Sequence, residues 1–220
     1  MPSIALIATF FISFFVPIFI WLILKPLLKT NRINRVLTTE LTAFQQDTLL
    51  FENSLQAIPT LEEDANTPHL KLGNEMAKKQ LIVVLSFYCG ACAKTLKDLI
   101  ALSEMQEIGI TIKLVAKNEA SKAMAIYLHQ IQMLSGNQAA IKVLTAWYEL
   151  KDFANLKSAF PVPASTFNAD TKQGFSNFFE TGKTWFEKIK LTHTPFFIFN
   201  HQKIPIKYTF SDIKYHLRRM

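Results

Sequence analysis

Residues 86–95 read SFYCGACAKT, and they hold Cys89 and Cys92, the only two cysteines among 220 residues. Two thiols at this spacing can cycle between dithiol and disulfide, supply half of a metal site, or sit inert. Their placement separates these readings. LIVVLSF (81–87) is a short apolar run rich in branched residues, as a buried strand would be. KTLKDLIALSEMQ (94–106) then reads as a helix with Leu96, Leu99, Ile100 and Leu102 facing inward. Cys89 therefore falls at the first turn of a helix, where unsatisfied N–H groups and the helix dipole stabilise a thiolate. A lowered pKa makes it the attacking sulfur. Cys92, one turn further in, is placed to resolve a mixed disulfide within the same chain. Gly90 and Ala91 form the middle of the motif.

A structural zinc ion needs four ligands, and no second cysteine pair exists. His69, His129, His193, His201 and His216 show no ligand spacing among themselves. His193 could approach the pair in space, so a metal-binding alternative stays open. An incidental pair would more often lie within an element than at a strand-to-helix junction.

The elements around the motif imply an α/β fold. ITIKLVAKN (110–118) is a second strand, and strand, helix, strand of this length implies a right-handed βαβ unit with parallel strands. A long helical stretch follows, in which Met124, Leu128, Ile131 and Leu134 mark one segment and Ile141, Leu144 and Trp147 another. PVPAS (161–165) interrupts it, and Phe175, Phe178, Phe179, Trp185, Phe186 and Ile189 mark a third segment. An aromatic stripe at helical spacing reads as core. TPFFIFNHQKIPIKYTF (194–210) reads as a hairpin turning at Asn200-His201, possible in a longer or strained form, and Ser211 as the N-cap of a last helix.

Residues 2–24 carry no charged side chain, and about 20 apolar residues span a bilayer core as a helix. Pro17 inside the run is tolerated in such a helix. A signal peptide would begin with positive charge and end at a small-residue cleavage site, and neither is present here. Leu37, Leu41, Phe44, Phe51 and Leu55 give residues 30–56 an imperfect heptad, which a dimerising stalk could use but which is read as a helix packing on its own domain. Residues 57–71 read as a linker. The organisation expected is a transmembrane helix over 1–25, a juxtamembrane helix and linker over 26–68, and an α/β domain over 69–220 with a helical insertion at about 119–190. The net charge of +7 is concentrated at Lys25, Lys29, Arg32 and Arg35, beside the apolar run, where it suits lipid headgroups. The other bases are scattered, which argues against nucleic acid as a partner.

Strand, CxxC and helix, followed much later by Thr194-Pro195 opening an apolar strand, resemble the thioredoxin superfamily. In that family the proline is cis, lies against the CxxC, and lets the preceding residue's backbone pair with an extended substrate. FYCGACAKTLKDL, LTAWYEL and TPFFIFNHQKIPIKYTFSDIKYHL further resemble the thioredoxin-like domain fused behind vitamin K epoxide reductase modules in Bacteroidetes-type bacteria. WLILKPLLK is similar to the end of the last membrane helix of those fusions. The resemblance implies a thioredoxin-like fold with a helical insertion behind one membrane helix. It implies a thiol–disulfide oxidoreductase that oxidises cysteine-containing exported polypeptides and is recharged by a vitamin K epoxide reductase-like membrane quinone reductase. No cofactor is implied beyond the redox-active Cys89–Cys92 disulfide. Cys89 and Cys92 would be catalytic, with Thr194, Pro195 and Tyr88 touching substrate.

Three departures stand out. Ala91 replaces the usual proline, Asn200-His201 replaces an Asn-Gly turn, and Val83 stands where cytosolic thioredoxins carry a buried aspartate. The charge cluster at Lys25–Arg35 favours a cytoplasmic domain. The resemblance places it on the periplasmic side of the inner membrane, where disulfides persist, and that placement is the expectation adopted. Rival readings are a disulfide reductase or isomerase, and a non-catalytic membrane-anchored module binding peptides or a metal.

Overall fold

The computed structural model describes residues 4–62, 69–105, 107–163 and 181–219. The chain divides into two compact units, Met1–Phe51 and Glu52–Met220. The first is built on α1 (Ile4–Gln45), a single helix that passes through Pro17 and Pro26. At 1.5 Å per residue it is about 63 Å long. No break marks the boundary expected at residue 25. Each proline removes only one backbone donor, and no Gly or Pro follows Pro26 within the helix. The hydroxyls of Thr38, Thr39 and Thr42 donate to the carbonyls of Asn34, Arg35 and Thr38 at 2.7–2.9 Å. Among the described residues α1 is the one helix long and apolar enough to cross a membrane. Of the five positions of the expected apolar face, Phe51 and Leu55 are buried, while Leu37, Leu41 and Phe44 are exposed. The helix expected across 30–56 is instead interrupted, because Asp47 starts a new one, α2 (Thr48–Gln56), its carboxylate accepting the Leu50 N–H at 3.1 Å.

The second unit is organised by a five-stranded sheet. Its strands are β1 (His69–Gly73), β2 (Lys79–Ser86), β3 (Ile108–Val115), β4 (Phe196–Phe199) and β5 (Gln202–Lys203), in the order β1-β3-β2-β4-β5. β2 and β3 are parallel, joined by α3 (Gly90–Ser103) as the βαβ pattern requires. The other neighbours are antiparallel. Central β2 is buried along Leu81–Leu85, which explains its unbroken apolar run. Edge strand β1 was not read from the sequence, because HLKLG has charged and polar residues in half-exposed positions.

Helices complete the layers: α4 (Glu119–Leu150), α5 (Phe153–Ala159), α6, described over 181–188, and α7 (Phe210–Arg219). α3 buries Leu96, Leu99 and Leu102 beneath the motif, while Ile100 is only half-buried. α4 joins the two expected helical segments, changing direction at Gly136, whose φ of 82° is outside the helical range. Leu134, beside that kink, is exposed, whereas Met124, Leu128, Ile131, Ile141, Leu144 and Trp147 are buried. On one sheet face Ile82, Val84, Phe196 and Ile198 pack with Trp185 and Ile189, so that part of the aromatic stripe is core. Phe175, Phe178 and Phe179 lie outside the described residues.

Two local readings are corrected. Residues 57–62 of the expected linker are anchored along the hairpin: Thr60 bridges Gln202, and Leu61 N–H donates to His201 O at 2.6 Å. The hairpin turns at Asn200-His201 as expected, in the strained and not the longer form: it is a tight two-residue turn with both residues at positive φ, 43° and 66°. The cap of α7 is Thr209 and not Ser211. Thr209 donates from its N–H and hydroxyl to Asp212 Oδ2 at 2.8 and 2.6 Å, and its Oγ1 receives the Asp212 N–H at 3.4 Å, a reciprocal arrangement three residues apart.

Candidate redox site

β2 ends at Ser86, and the chain turns through Phe87 and Tyr88 to Cys89, the N-cap of α3. The turn is closed by Cys89 N–H donating to Ser86 O and Ala93 N–H donating to Cys89 O, both at 3.3 Å. Cys89 Sγ receives the Cys92 N–H at 3.3 Å, so the sulfur fills the acceptor place that an Asp or Ser oxygen takes at other helix starts. In its thiol form Cys89 donates to Thr194 O, also at 3.3 Å. Thr194-Pro195 is a cis peptide leading into β4. The structure thus brings together residues of two distant stretches, with Thr194 against Cys89.

The two cysteines are free thiols in unlike surroundings: Cys92 is buried and Cys89 is partly exposed. At Cys89, burial disfavours the charge, but hydrogen bonds outweigh it. Those from Cys92, the Thr194 side chain and the backbone N–H groups of Cys92 and Ala91 hold its pKa below the ordinary thiol value. At Cys92 burial dominates, reinforced by Cys89, and the thiol is pushed up to about 12. The two shifts run in opposite directions, the pattern a nucleophilic thiol and a protonated partner would need.

Gly90 and Ala91 occupy the exposed first turn of α3. Tyr88 is 52 % exposed, with its ring edge-on to Trp147 at 5.5 Å between centroids. His193, the residue that could have joined a metal site, pairs its Nδ1 with Thr192 Oγ1 at 3.0 Å and leans on the Phe196 ring. Among the described residues no group of three His, Cys, Asp or Glu side chains gathers that could hold a metal. Beside the motif lies a groove of about 640 Å³, bounded by Ala91, Lys94, Pro195, Phe197, Ile206 and Phe210. Phe197 and Phe210 stack at 5.3 Å to form apolar wall. The sequence reading missed this groove, because only the folded hairpin brings α7 beside α3. It also missed the roles open to two residues of α4: Trp147, which had been read only as an apolar helix position, and Tyr148, which had appeared only within LTAWYEL.

The fold is shared with several solved structures. The oxidised form of BdbD from Bacillus subtilis superposes with a TM-score of 0.59 at 13% identity, over 74% of this chain and 97% of that one. The thiol-disulfide exchange protein alpha-DsbA2 from Wolbachia pipientis gives 0.57 at 12% identity, over 81% and 96%. The catalytic domain of ScsC from Proteus mirabilis gives 0.53 at 19% identity, over 79% and 97%. Such identities establish common architecture alone. The sequence model of the family described as thioredoxin matches residues 64–218, and the chain belongs to that family. No curated protein sequence matches the chain.

Proposed function

We propose that this chain is a membrane-anchored thiol–disulfide oxidoreductase that oxidises cysteines of exported polypeptides. The observation that carries the reading is the asymmetry of the pair: Cys89 at the helix start, bonded to Cys92 N–H and Thr194, with Cys92 buried behind it. In the oxidising direction, a substrate thiolate attacks Cys89 of the Cys89–Cys92 disulfide. The S–S bond breaks, a substrate–Cys89 disulfide forms, and Cys92 leaves as a thiolate that takes up a proton. A second substrate thiol, losing its proton, then displaces Cys89. Substrate gains one disulfide, and the enzyme gains two electrons, with one proton at Cys92 and a second at Cys89 only where the pH lies below that thiol's pKa.

Thr194 and Pro195 would align the substrate backbone, and the groove walled by Phe197 and Phe210 would take its apolar side chains. Tyr88, exposed beside Cys89, would form the opposite rim. Reoxidation is assigned to a vitamin K epoxide reductase-like membrane quinone reductase, which would pass the two electrons to a quinone. This partner rests on the resemblance of the CGAC, LTAWYEL and TPFFIFNHQ stretches to the fused proteins. α1 would be the single span in the inner membrane, with Lys25, Lys29, Arg32 and Arg35 at lipid headgroups and the redox domain periplasmic.

The test is capture. Full-length Cys92→Ala, expressed in its membrane, should accumulate adducts with cysteine-containing exported proteins that disappear on reduction. The same adducts should be missing from Cys89→Ser. Absence of adducts in Cys92→Ala, at normal expression, would refute the catalytic assignment.

A further inference from the structure

Two consecutive residues of α4 grip the segment that delivers Cys89. Trp147 Nε1–H donates to Phe87 O at 2.9 Å, and Tyr148 Oη–H donates to Ser86 O at 2.9 Å. The Trp147 ring also meets the edge of Tyr88. All three residues before Cys89 are thus held by one dipeptide. Ser86 O is the same atom that receives the Cys89 N–H, so the tyrosine hydroxyl and the motif share an anchor.

The dipeptide is itself fixed. Trp147 is 2 % and Tyr148 6 % exposed. Trp147 packs against Phe153 of α5, and its carbonyl receives the Lys151 N–H at the left-handed end of α4. Lys97 of α3 pairs with Glu149 at 3.0 Å, tying the motif helix to the same turn. Pairing between β2 and β4 ends at Val84–Phe196, before the carbonyls of Ser86 and Phe87. The buried Phe87 carbonyl finds its donor in α4 instead, as a buried backbone group must find one somewhere, and the half-buried Ser86 carbonyl takes the Tyr148 hydroxyl alongside the Cys89 N–H.

We propose that Trp147 and Tyr148 are positioning residues of the redox site, setting the Ser86–Tyr88 turn so that Cys89 Sγ meets the Cys92 N–H and Thr194. The proposal rests on the thiol–disulfide reading and names residues that set its equilibrium. Hydrogen bonds to sulfur weaken steeply with misdirection. A loosened turn therefore weakens the bonds that favour the Cys89 thiolate, and with them the reduced form. The disulfide then becomes relatively more stable. Tyr148 remains a donor throughout, because burial and the neighbouring sulfurs of Cys92 and Cys89 raise its pKa.

The experiment is a glutathione redox titration of the full chain in detergent, with a parallel ultraviolet titration of the Cys89 thiolate. Tyr148→Phe removes one oxygen and keeps the ring; Trp147→Phe removes the indole N–H and keeps an aromatic. Each should shift the equilibrium towards the disulfide by at least about threefold, and the double variant by about tenfold, about 30 mV. The thiolate titration should move to higher pH. Tyr127→Phe is the control: it deletes another hydroxyl, one bonded to Phe160 O and not to residues 86–89, keeps the ring that packs on Phe153, and should leave both readouts unchanged. If Tyr148→Phe and Trp147→Phe melt earlier yet keep the parental equilibrium and titration, the residues are merely structural and the proposal fails. Should Trp147→Phe not fold, Tyr148→Phe alone decides. An unaltered chain without a reversible couple would overturn the oxidoreductase reading, and this inference with it.

Discussion

Removing Cys89 tests whether burial alone silences the second sulfur. In Cys89→Ser, Cys92 keeps its buried site, and burial is the leading cause of a pKa pushed up to about 12. An ordinary thiol with pKa near 8.5 is about one quarter thiolate at pH 8. A thiol at about 12 is about one ten-thousandth thiolate at that pH. About three orders of magnitude is therefore the upper bound on the slowing of alkylation, because Cys89→Ser keeps the burial but loses the Cys89 hydrogen bond and charge that also raise this pKa. The assay is timed iodoacetamide labelling of full-length Cys89→Ser, quenched and counted by mass spectrometry. The rate should climb about tenfold per pH unit from 8 towards 11, because only the thiolate reacts. In the unaltered reduced chain the fast label should fall on Cys89, with a midpoint below the ordinary thiol value. Labelling of Cys89→Ser at the rate of a free thiol would refute the argument, because desolvation would then not be what restrains Cys92.

Other outcomes follow from the same geometry. His201 sits at φ 66°, which costs a side-chain-bearing residue about 1–2 kcal/mol, partly offset by the entropy glycine loses on folding. His201→Gly should therefore stabilise the domain by about 0.5–1 kcal/mol, read as a higher Tm, with alkylation of Cys89 unchanged. Thr209→Ala removes the hydroxyl that bonds Asp212 at the start of α7 and should cost about 1 kcal/mol in chemical denaturation. At Gly73, φ 71°, an added Cβ would lie 2.3 Å from Ile108 O, so Gly73→Ala should lower the Tm by distorting the β1–β3 edge.

The redox motif and its supporting unit were legible because local signals agreed. An apolar branched run, two thiols and a helical pattern follow one another without a gap, and β2, Cys89 and α3 appear in that order. The Thr194-Pro195 placement depended on resemblance, since nothing local says that residue 194 meets residue 89. Long-range partners were not legible for the same reason: Trp147 and Phe87 lie far apart in sequence and meet only because α4 returns beside β2. The cap of α7 is a different kind of miss. Thr209 and Asp212 have the spacing of a capping box, and choosing Ser211 overlooked it. The apolar positions 37, 41 and 44 misled because heptad spacing says a face is apolar, not what covers it.

The most direct test of the central claim is the reduction potential of the Cys89–Cys92 couple in the full chain, equilibrated in glutathione buffers. A stabilised Cys89 thiolate favours the reduced form and makes the disulfide the stronger oxidant. The account predicts a reversible two-electron couple nearer to about −120 mV than to about −270 mV. A value near about −270 mV would contradict oxidation of exported polypeptides as the direction of reaction, and no reversible couple would contradict the redox function altogether.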